Sequence, residues 1–442
     1  MKVKILSRNP DNYLRETKND IHKIKRNYDP ALHPFEVARE YTRAVNAVKL
    51  ERLFAKPFVY SLDGHKDGIQ CMLKHTSSLS FMFSGAYDGE IRVWNLATQK
   101  CLSSVQAHDG IVRGLCMPTS GDRLLSVGDD KIIKHWNLED LTQIEPVDAI
   151  VTKSVLNGVT YHRKKPLYAT CGEKVDVWES TRSEPLRSLS WGVDTIKDIK
   201  FNPIEVNILG STCSDRSIIL YDVREACPLR KVVLELCTNA ISWNPMESFA
   251  FVAASEDYNL YSFDMRKLKV PLHVHKDHTS AVLDVDYSPT GKEFVSGSYD
   301  KTVRIFPLNS GRSRDVYHTK RMQRLTSVLW SLDNKYILTG SDEMNIRMWK
   351  AKASDKLGAL SYRERMSLNH SEKLKEKFAQ HPQVQRIARH RHVPKHVYNA
   401  AKEHRIIHES KKRKEANRRA HSKAGTVPYV SERVKHIVQE DE

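Results

Sequence analysis

Three closely spaced histidines near the C-terminus are candidates for metal binding or for contact with an anionic partner. The stretch from Arg389 to His396 reads RHRHVPKH and places His390, His392 and His396 among three cations. A zinc ion would need neutral imidazoles, usually with thiolate or carboxylate companions. The stretch has no cysteine, and its cations raise the cost of holding a divalent ion. Arginine forks and histidines suit a phosphate-rich surface, so the stretch predicts an anionic partner and no metal site.

The net charge separates the two extensions of the chain from its middle. The 442 residues carry a formal charge of +17. Residues 1–52 hold 12 Lys and Arg against 7 Asp and Glu, and residues 353–442 hold 21 against 11. These segments contribute +5 and +10, which leaves only +2 for the 300 residues between them. A strongly basic segment is a candidate for contact with nucleic acid or another polyanion.

A helical stretch predicted after Pro394 carries the densest positive charge, with six Lys and Arg in the nine residues 411–419. One interpretation is a solvated helix face, in which Glu403, Glu409 and Glu415 pair with basic neighbours. The other interpretations are a nuclear-import signal and contact with nucleic-acid phosphates, and the charge density favours these two. The predicted basic arm comprises Arg386, Arg389, Arg391, Lys395, Lys411, Lys412, Arg413, Lys414, Arg418 and Arg419.

A short pattern recurs through the middle of the chain. An acidic residue precedes a β-branched alternation that ends in an aromatic residue, as in YDGEIRVWNL and YDKTVRIFPL. The seven copies end, at spacings of 42 or 43 residues, in Trp94, Trp136, Trp178, Tyr221, Phe263, Phe306 and Trp349. This period matches a four-stranded propeller blade and predicts an all-β, seven-bladed propeller. The upstream FAKPFVYSL (Phe54–Leu62) is predicted to supply the outer strand of the last blade and to close the ring.

The repeats resemble WD-repeat blades, and the best copies have a histidine 28 or 29 residues before the terminal aromatic residue. In the WD-repeat family this histidine joins a buried hydrogen-bond network with a hairpin aspartate and a strand hydroxyl. The resemblance implies a structural, non-catalytic role for His65, Ser84, Asp88, Trp94, His108, Asp130, Trp136, His278, Ser296 and Asp300. The third copy lacks the aspartate and the seventh has Glu343 in its place, so those blades are expected to be braced differently.

Several classes of function have no support in the sequence. No apolar run approaches membrane-spanning length, and the N-terminal apolar segment is too short for a secretory signal. The seven cysteines are scattered singly, which is typical of a reducing compartment. No nucleotide-binding loop, nucleophile elbow or zinc-protease motif is present. The sequence therefore predicts an intracellular protein that is not an enzyme and has no cofactor, metal or small-molecule substrate.

The N-terminal extension predicts an amphipathic helix within FEVAREYTRAVNAVKLERLFA. One face of this helix comprises Ala38, Tyr41, Val45, Val48 and, at its edge, Arg52. Such a helix most often packs on its own domain, and insertion into a partner's groove is the alternative. The predicted domains are the N-terminal extension (1–52), the propeller (53–352) and a basic, largely helical C-terminal domain (353–442).

The extensions and the repeats together resemble the family of WD-repeat and Sof-domain-containing proteins, which is also described as cullin-associated. The stretches that carry the resemblance are SRNPDNYLRETKNDI, RNYDPALHPFE, the seven repeats, KLKEKFAQHPQVQRIARHRHVPKHVY and SKAGTVPYVSE. The resemblance implies a nuclear and nucleolar scaffold of the small-subunit processome, which supports processing of the small-subunit rRNA precursor. Its implied partners are pre-ribosomal RNA, a box C/D small nucleolar ribonucleoprotein, and ribosomal and processome proteins.

Two consecutive repeats also end in a D-x-R sequence. These pairs resemble the motif by which WD-repeat substrate receptors dock on the adaptor of a cullin-RING ubiquitin ligase, although Tyr221 and Phe263 stand where the motif usually has Trp. The alternative interpretation is a salt-bridged blade terminus. Docking would make the chain a substrate receptor. The docking residues would be Asp222 and Arg224 after the fourth repeat, and Asp264 and Arg266 after the fifth.

Overall fold

The computed structural model describes residues 29–141, 144–192, 194–423 and 425–441. The stretch SRNPDNYLRETKNDI, which contributes to the family resemblance, lies outside the described residues. The chain forms two compact units. The smaller contains the described residues up to Lys56 together with Lys352–His390, and the larger contains Pro57–Ala351 and the residues from Arg391 onward. Residues 353–442 are thus shared between the units, and a single C-terminal domain stays a prediction.

The larger unit consists mainly of antiparallel sheets. The strands are, in chain order, β1 (Phe58–Leu62), β2 (Ile69–Lys74), β3 (Phe81–Ala86), β4 (Glu90–Asn95), β5 (Lys100–Gln106), β6 (Val112–Cys116), β7 (Arg123–Gly128), β8 (Ile132–Asn137), β9 (Pro146–Val151), β10 (Gly158–Tyr161), β11 (Leu167–Cys171), β12 (Val175–Glu179), β13 (Arg187–Leu189), β14 (Ile196–Phe201), β15 (Ile208–Cys213), β16 (Ser217–Asp222), β17 (Pro228–Leu234), β18 (Thr238–Trp243), β19 (Ala250–Ser255), β20 (Asn259–Asp264), β21 (His273–Lys276), β22 (Val282–Tyr287), β23 (Glu293–Ser298), β24 (Val303–Pro307), β25 (Asp315–Tyr317), β26 (Leu325–Trp330), β27 (Tyr336–Ser341), β28 (Ile346–Lys350) and β29 (Ile437–Asp441).

These strands form seven sheets within the described part of the chain. β2–β5, β6–β9, β10–β13, β14–β17, β18–β21 and β22–β25 make blades 1 to 6, and β26–β28 make blade 7 together with β1. β29 is a fifth strand of blade 4. The predicted seven-bladed propeller is therefore confirmed.

Strand β1 closes the ring. It pairs antiparallel with β28, and Leu62 lies opposite Ile346. Without β1, the outer edge of β28 would present a row of unpaired N–H and C=O groups. Leu62 is buried in the same hydrophobic cluster as Trp94 of blade 1. The predicted closing strand is confirmed, but it begins at Phe58, because a helix occupies the chain up to Leu53 and residues 54–57 belong to neither helix nor strand.

A buried histidine network holds blade 2 together. His108 Nε2 is hydrogen-bonded to Ser126 Oγ at 2.7 Å, and His108 Nδ1 lies 2.8 Å from Asp130 Oδ2. The Trp136 indole donates to the same Ser126 hydroxyl at 2.9 Å. Because the imidazole and the hydroxyl are buried, each of them needs a protein partner. The spacing of these residues in the repeat therefore reflects one shared hydrogen-bond network.

Blade 1 has the same network with a different acidic partner. His65 and the Trp94 indole both bond the Ser84 hydroxyl, at 2.6 Å and 2.8 Å. The Asp88 carboxylate accepts a hydrogen bond from the Glu90 amide at 3.0 Å, and His65 Nδ1 lies 3.9 Å from Glu90 Oε2. The predicted aspartate therefore stabilises the hairpin, while a glutamate faces the histidine.

Other blades keep all or part of the network. In blade 6, His278 is hydrogen-bonded to Ser296 at 2.7 Å and to Asp300 at 3.0 Å. Blade 3 has no such histidine, but the Trp178 indole still donates to the Thr170 hydroxyl at 2.9 Å. A strand hydroxyl beneath the terminal tryptophan is thus common to blades with and without the histidine.

Carboxylates of inner strands join neighbouring blades. The Asp284 carboxylate of blade 6 accepts a hydrogen bond from the Val328 amide of blade 7 at 2.6 Å, and burial raises the pKa of Asp284 to about 7. The Asp198 carboxylate of blade 4 accepts one from the Ile241 amide of blade 5 at 3.2 Å. These contacts hold adjacent blades at a defined distance.

The smaller unit is helical. The helices of the chain are α1 (Glu36–Leu53), α2 (Tyr362–Lys377), α3 (Pro382–Arg389) and α4 (Lys395–Ala420), with a short 3-10 turn at Pro30–Leu32. The first three belong to the smaller unit, where Val45 and Val48 of α1 pack with Val384 of α3. The amphipathic helix therefore packs within its own unit. Its buried stripe includes Ala44, whereas Ala38, which was predicted on that face, is exposed in the first turn of α1.

We expect Leu62→Ala to lower the free energy of unfolding of the larger unit by about 3 kcal/mol, because it leaves a cavity where β1 closes the ring. Urea unfolding followed by tryptophan fluorescence measures this change. Val151→Ala is the matched control, since Val151 is 76% exposed in β9, and it should change stability by less than about 0.5 kcal/mol. Equal effects of the two substitutions would show that Leu62 in the closing strand contributes no more to the free energy of unfolding than an exposed strand residue does.

The buried histidines make stability depend on pH. Burial lowers the pKa of His65 to about 4, against about 6.5 in an unfolded chain. Between these values the unfolded state binds a proton that the folded state does not, so stability falls as the pH drops from 6.5 towards 4. His65→Gln removes this contribution, and its stability deficit relative to the unsubstituted protein should shrink by about 2 kcal/mol between pH 7 and pH 5.

Urea unfolding at both pH values measures this deficit, and His396→Gln, at an exposed histidine, provides the control. A deficit of His65→Gln that is the same at pH 7 and pH 5 contradicts the assignment of a neutral, buried imidazole.

Candidate functional site

Helix α4 presents most of the predicted basic arm to solvent. Val397 is the buried residue of this helix, and Lys411, Lys412, Arg413, Lys414 and Arg418 are exposed. The Arg419 guanidinium lies over the Tyr429 ring, 4.9 Å from its centroid. Lys395 is exposed at the start of α4, while Arg386 and Arg389 are exposed on α3 of the smaller unit. A cationic helix whose charges face water can bind an extended polyanion.

Two of the three histidines of RHRHVPKH have structural contacts, and His396 is exposed. His390 caps the C-terminal end of α3. The His392 ring stacks on that of His318 with centroids 5.5 Å apart, and His318 Nε2 is hydrogen-bonded to the His392 carbonyl at 3.2 Å. Arg391 is mostly buried, with its Nε 3.9 Å from Asp315 Oδ1. Within the described ranges, no group of three or more His, Cys, Asp and Glu side chains could hold a metal ion.

Arg391 therefore differs from the rest of the predicted basic arm. Its guanidinium faces a carboxylate of blade 6, which compensates its charge. Sequence reasoning could not find this pair, because Asp315 lies far from Arg391 along the chain. The available cations of the arm are on α4 and α3.

The sequence did not predict that the C-terminal segment pairs with the propeller. β29 pairs antiparallel with β17 at the outer edge of blade 4, with Val233 opposite Gln439. Before this strand, Glu432 lies 3.3 Å from Lys276 of blade 5 and 3.5 Å from His408 of α4. The segment therefore links α4 to blades 4 and 5. The β-branched pair in KHIVQE was the available signal, but it does not identify the partner strand.

The two D-x-R sequences have the same local geometry in blades 4 and 5. Arg224 Nη2 donates to Asp222 Oδ2 at 2.7 Å, and Arg266 Nη2 donates to Asp264 Oδ2 at 2.8 Å. The arginines hold the pKa of both aspartates below its usual range. The arginine side chains remain 68% and 61% exposed. The salt-bridged terminus is thus present, and it fixes the direction of two accessible guanidinium groups.

The aromatic residues that precede these motifs are internal. Tyr221 and Phe263 are fully buried, so an exchange of Trp for Tyr or Phe at these positions leaves the surface around the arginines unchanged. The Arg266 guanidinium also lies 4.2 Å from the centroid of the Phe249 ring. The departure from the usual motif therefore lies in the core of each blade and not at the exposed arginines.

The third predicted group, the histidine networks of blades 1, 2 and 6, lies inside the propeller. His65, His108 and His278 are buried, and burial lowers the pKa of each of them. Neutral, enclosed imidazoles stabilise the blades and present no surface for a ligand. In the described part of the chain, no helix has the length and apolar character needed to cross a membrane.

Comparison with known proteins agrees with this architecture. The model of the Sof1-like domain matches residues 351–437. The model of the WD domain, G-beta repeat, matches residues 56–95, 99–137, 269–306 and 316–350. The third, fourth and fifth copies lie outside these matches.

Similar proteins cover nearly the whole chain. The DDB1- and CUL4-associated factor 13 of Xenopus tropicalis is 59% identical, and that of Homo sapiens is 58% identical, each over 99% of both chains. Protein SOF1 of Saccharomyces cerevisiae is 45% identical over 99% of this chain and 94% of the yeast protein. With a propeller of seven WD-type blades, a Sof1-like C-terminal region and relatives that match from end to end, this chain belongs to the family of Sof1-like WD-repeat proteins.

Proposed function

We propose that this protein is a non-catalytic scaffold in nucleolar ribosome biogenesis, and that it supports processing of the small-subunit rRNA precursor within the small-subunit processome. The similarity to yeast Protein SOF1 supports this role. The proposed partners are pre-ribosomal RNA, a box C/D small nucleolar ribonucleoprotein, and ribosomal and processome proteins. The proposed location is the nucleus and the nucleolus.

The exposed cationic surface of α4 is the observation that carries the proposal. It lies within the Sof1-like region and is attached to a propeller that has almost no net charge. Phosphate contacts are independent of sequence and position a protein on nucleic acid. A closed, rigid propeller beside such a helix provides several faces for protein partners at once. This combination fits assembly of a ribonucleoprotein better than chemistry on a small substrate.

Charge removal from α4 tests this role. Deletion of the whole C-terminal region would also remove β29 from blade 4, so substitution is the cleaner experiment. We expect replacement of the six cations by Gln to impair maturation of small-subunit rRNA, because it removes up to about six phosphate contacts. Northern blots of precursor and mature rRNA measure the effect. The substituted residues are Lys411, Lys412, Arg413, Lys414, Arg418 and Arg419.

Two controls separate the loss of positive charge from other causes of impaired rRNA maturation. An added import signal on every variant removes any effect on nuclear entry. A second variant exchanges Lys for Arg and Arg for Lys at the same six positions, which keeps the charge, and it should process rRNA normally. Normal maturation of small-subunit rRNA with the six Gln substitutions, in a protein that is folded and nuclear, would contradict the proposal.

A second candidate function is that of a substrate receptor for a cullin-RING ubiquitin ligase. The observation that favours it is the matched pair of exposed arginines, Arg224 and Arg266, on consecutive blades. The name of the vertebrate relatives, DDB1- and CUL4-associated factor 13, agrees with such docking. This role uses a face of blades 4 and 5 and does not require the cations of α4.

We expect the double substitution Arg224→Glu with Arg266→Glu to reduce recovery of DDB1 in a pull-down by at least about tenfold, because a buried, hydrogen-bonded charge pair across an interface contributes 2 kcal/mol or more. Lys320→Glu with Arg321→Glu makes the same charge change at two other exposed residues and should leave recovery unchanged. Unchanged DDB1 recovery by the arginine variant counts against docking at these motifs.

A further inference from the structure

A groove of about 710 Å³ separates α4 from loops of blades 5 and 6. One wall is the face of α4 that contains Tyr398, Lys402 and Arg405. The opposite wall contains Tyr258 of the β19–β20 hairpin and Arg312, which follows β24. All of these residues belong to the larger unit. The D-x-R residues do not line the groove, and of the histidine networks His278 borders it, where its ring is bonded to Ser296 and Asp300.

Basic residues follow one another along the helical wall. Lys402, Arg405, His408 and Lys411 line the groove at intervals of three residues, which corresponds to a rise of about 4.5 Å along the helix axis for each step. Arg312 adds a cation from the opposite wall. The groove therefore has positive groups on both sides and along its length.

The acidic residues of the groove are already engaged. Glu432 is paired with Lys276 and His408. Asp277 accepts hydrogen bonds from the Ser313 amide and hydroxyl. Asp257 accepts them from the Asn259 amide and the Tyr261 hydroxyl.

Among the described residues, Lys402, Lys411 and Arg312 have no ion-pair partner, and Arg405 has only the exposed Glu409 of its own helix. The remaining field in the groove is positive, and it suits an anionic occupant.

Two tyrosines give the groove flat apolar surfaces. Tyr398 is 63% exposed beside Lys402. Tyr258 occupies, with φ of 72°, a left-handed position at the tip of the β19–β20 hairpin, and its ring contacts that of His404 with centroids 5.1 Å apart. The corresponding hairpin of blade 1 has Gly89 at this position. The position is also left-handed in blades 2, 4, 6 and 7, so this conformation is a common feature of the blade hairpins, and in blade 5 it places the Tyr258 ring on the wall of the groove. The residues at the position in those blades are Lys131, Arg216, Lys301 and Met344.

We propose that this groove binds a segment of single-stranded RNA. The phosphates lie along Lys402, Arg405 and Lys411, with Arg312 on the other side, and a base stacks on the Tyr398 ring. Alternation of cations with exposed aromatic rings is the pattern that recognises single strands. An acidic peptide would match the charge but would leave the exposed ring without a flat partner. The volume is that of a site for one small ligand and admits a nucleotide or two, not a duplex.

This inference rests on the proposed function, since it specifies how a scaffold of ribosome biogenesis would hold RNA. It also goes beyond the attraction of the basic arm for nucleic acid, because it assigns two separable contributions to the affinity for RNA. Stacking on Tyr398 does not depend on salt. The contacts of Lys402 and Arg312 with phosphate weaken as the salt concentration rises.

Titration of the full chain with a fluorescent oligouridine, at several salt concentrations, tests the proposal. We expect Tyr398→Ala to weaken binding about tenfold without changing the salt dependence. Lys402→Gln with Arg312→Gln should reduce the slope of log K against log salt by about 1.4, which corresponds to two phosphate contacts on a single strand. Lys320→Gln with Arg321→Gln is the matched control, with one Lys and one Arg removed outside the groove, and it should leave the slope unchanged. Melting curves establish that each variant is folded.

Three outcomes would overturn the groove assignment. These are an unchanged affinity of Tyr398→Ala, equal effects of the groove pair and the control pair, and tighter binding of an RNA duplex or of polyglutamate than of the oligouridine. None of the substituted residues belongs to the six cations tested for rRNA maturation. Loss of maturation in the six-Gln variant, with normal oligouridine binding by the groove variants, therefore rejects the groove and leaves the proposed function standing.

Discussion

The pairing of β1 with β28 is the interaction on which the propeller depends. A ring of sheets needs a partner for the last open edge, and β1 supplies the backbone groups that β28 would otherwise lack. Carboxylates such as Asp284 then tie neighbouring blades together through backbone amides. The closed ring places the D-x-R arginines and the hairpin of Tyr258 at fixed positions on its surface.

Burial keeps histidines of the blades neutral, whereas the exposed cations of α4 lie outside the blades. Burial lowers the pKa of His65 and His275 to about 4, so these imidazoles carry no charge at neutral pH. Helix α4, by contrast, buries Val397 and leaves its cations in water. Under the proposed function, the nearly neutral blades hold protein partners while the exposed cationic helix binds a polyanion.

Long-range contacts organise the candidate functional surfaces. β29 pairs with β17 about two hundred residues earlier in the chain, and no local alternation identifies such a partner. Arg312 and Tyr398 face one groove for the same reason, since they lie on elements that only the fold brings together. A long-range contact can also take a residue out of a predicted surface. Arg391 faces Asp315, so its charge is compensated and is not available to a ligand.

The sequence by itself determined the number of blades, the closing strand and the segments that carry the charge. These features follow from a period of 42 or 43 residues, a β-branched run upstream of the first repeat and the local composition. Only the tertiary structure decided that Glu90 and not Asp88 faces His65, that the C-terminal strand joins blade 4, and that two walls form a cationic groove. The physical reason is that periodicity and composition are local properties, whereas the partner of a side chain or of a strand edge is set by contacts between distant parts of the chain.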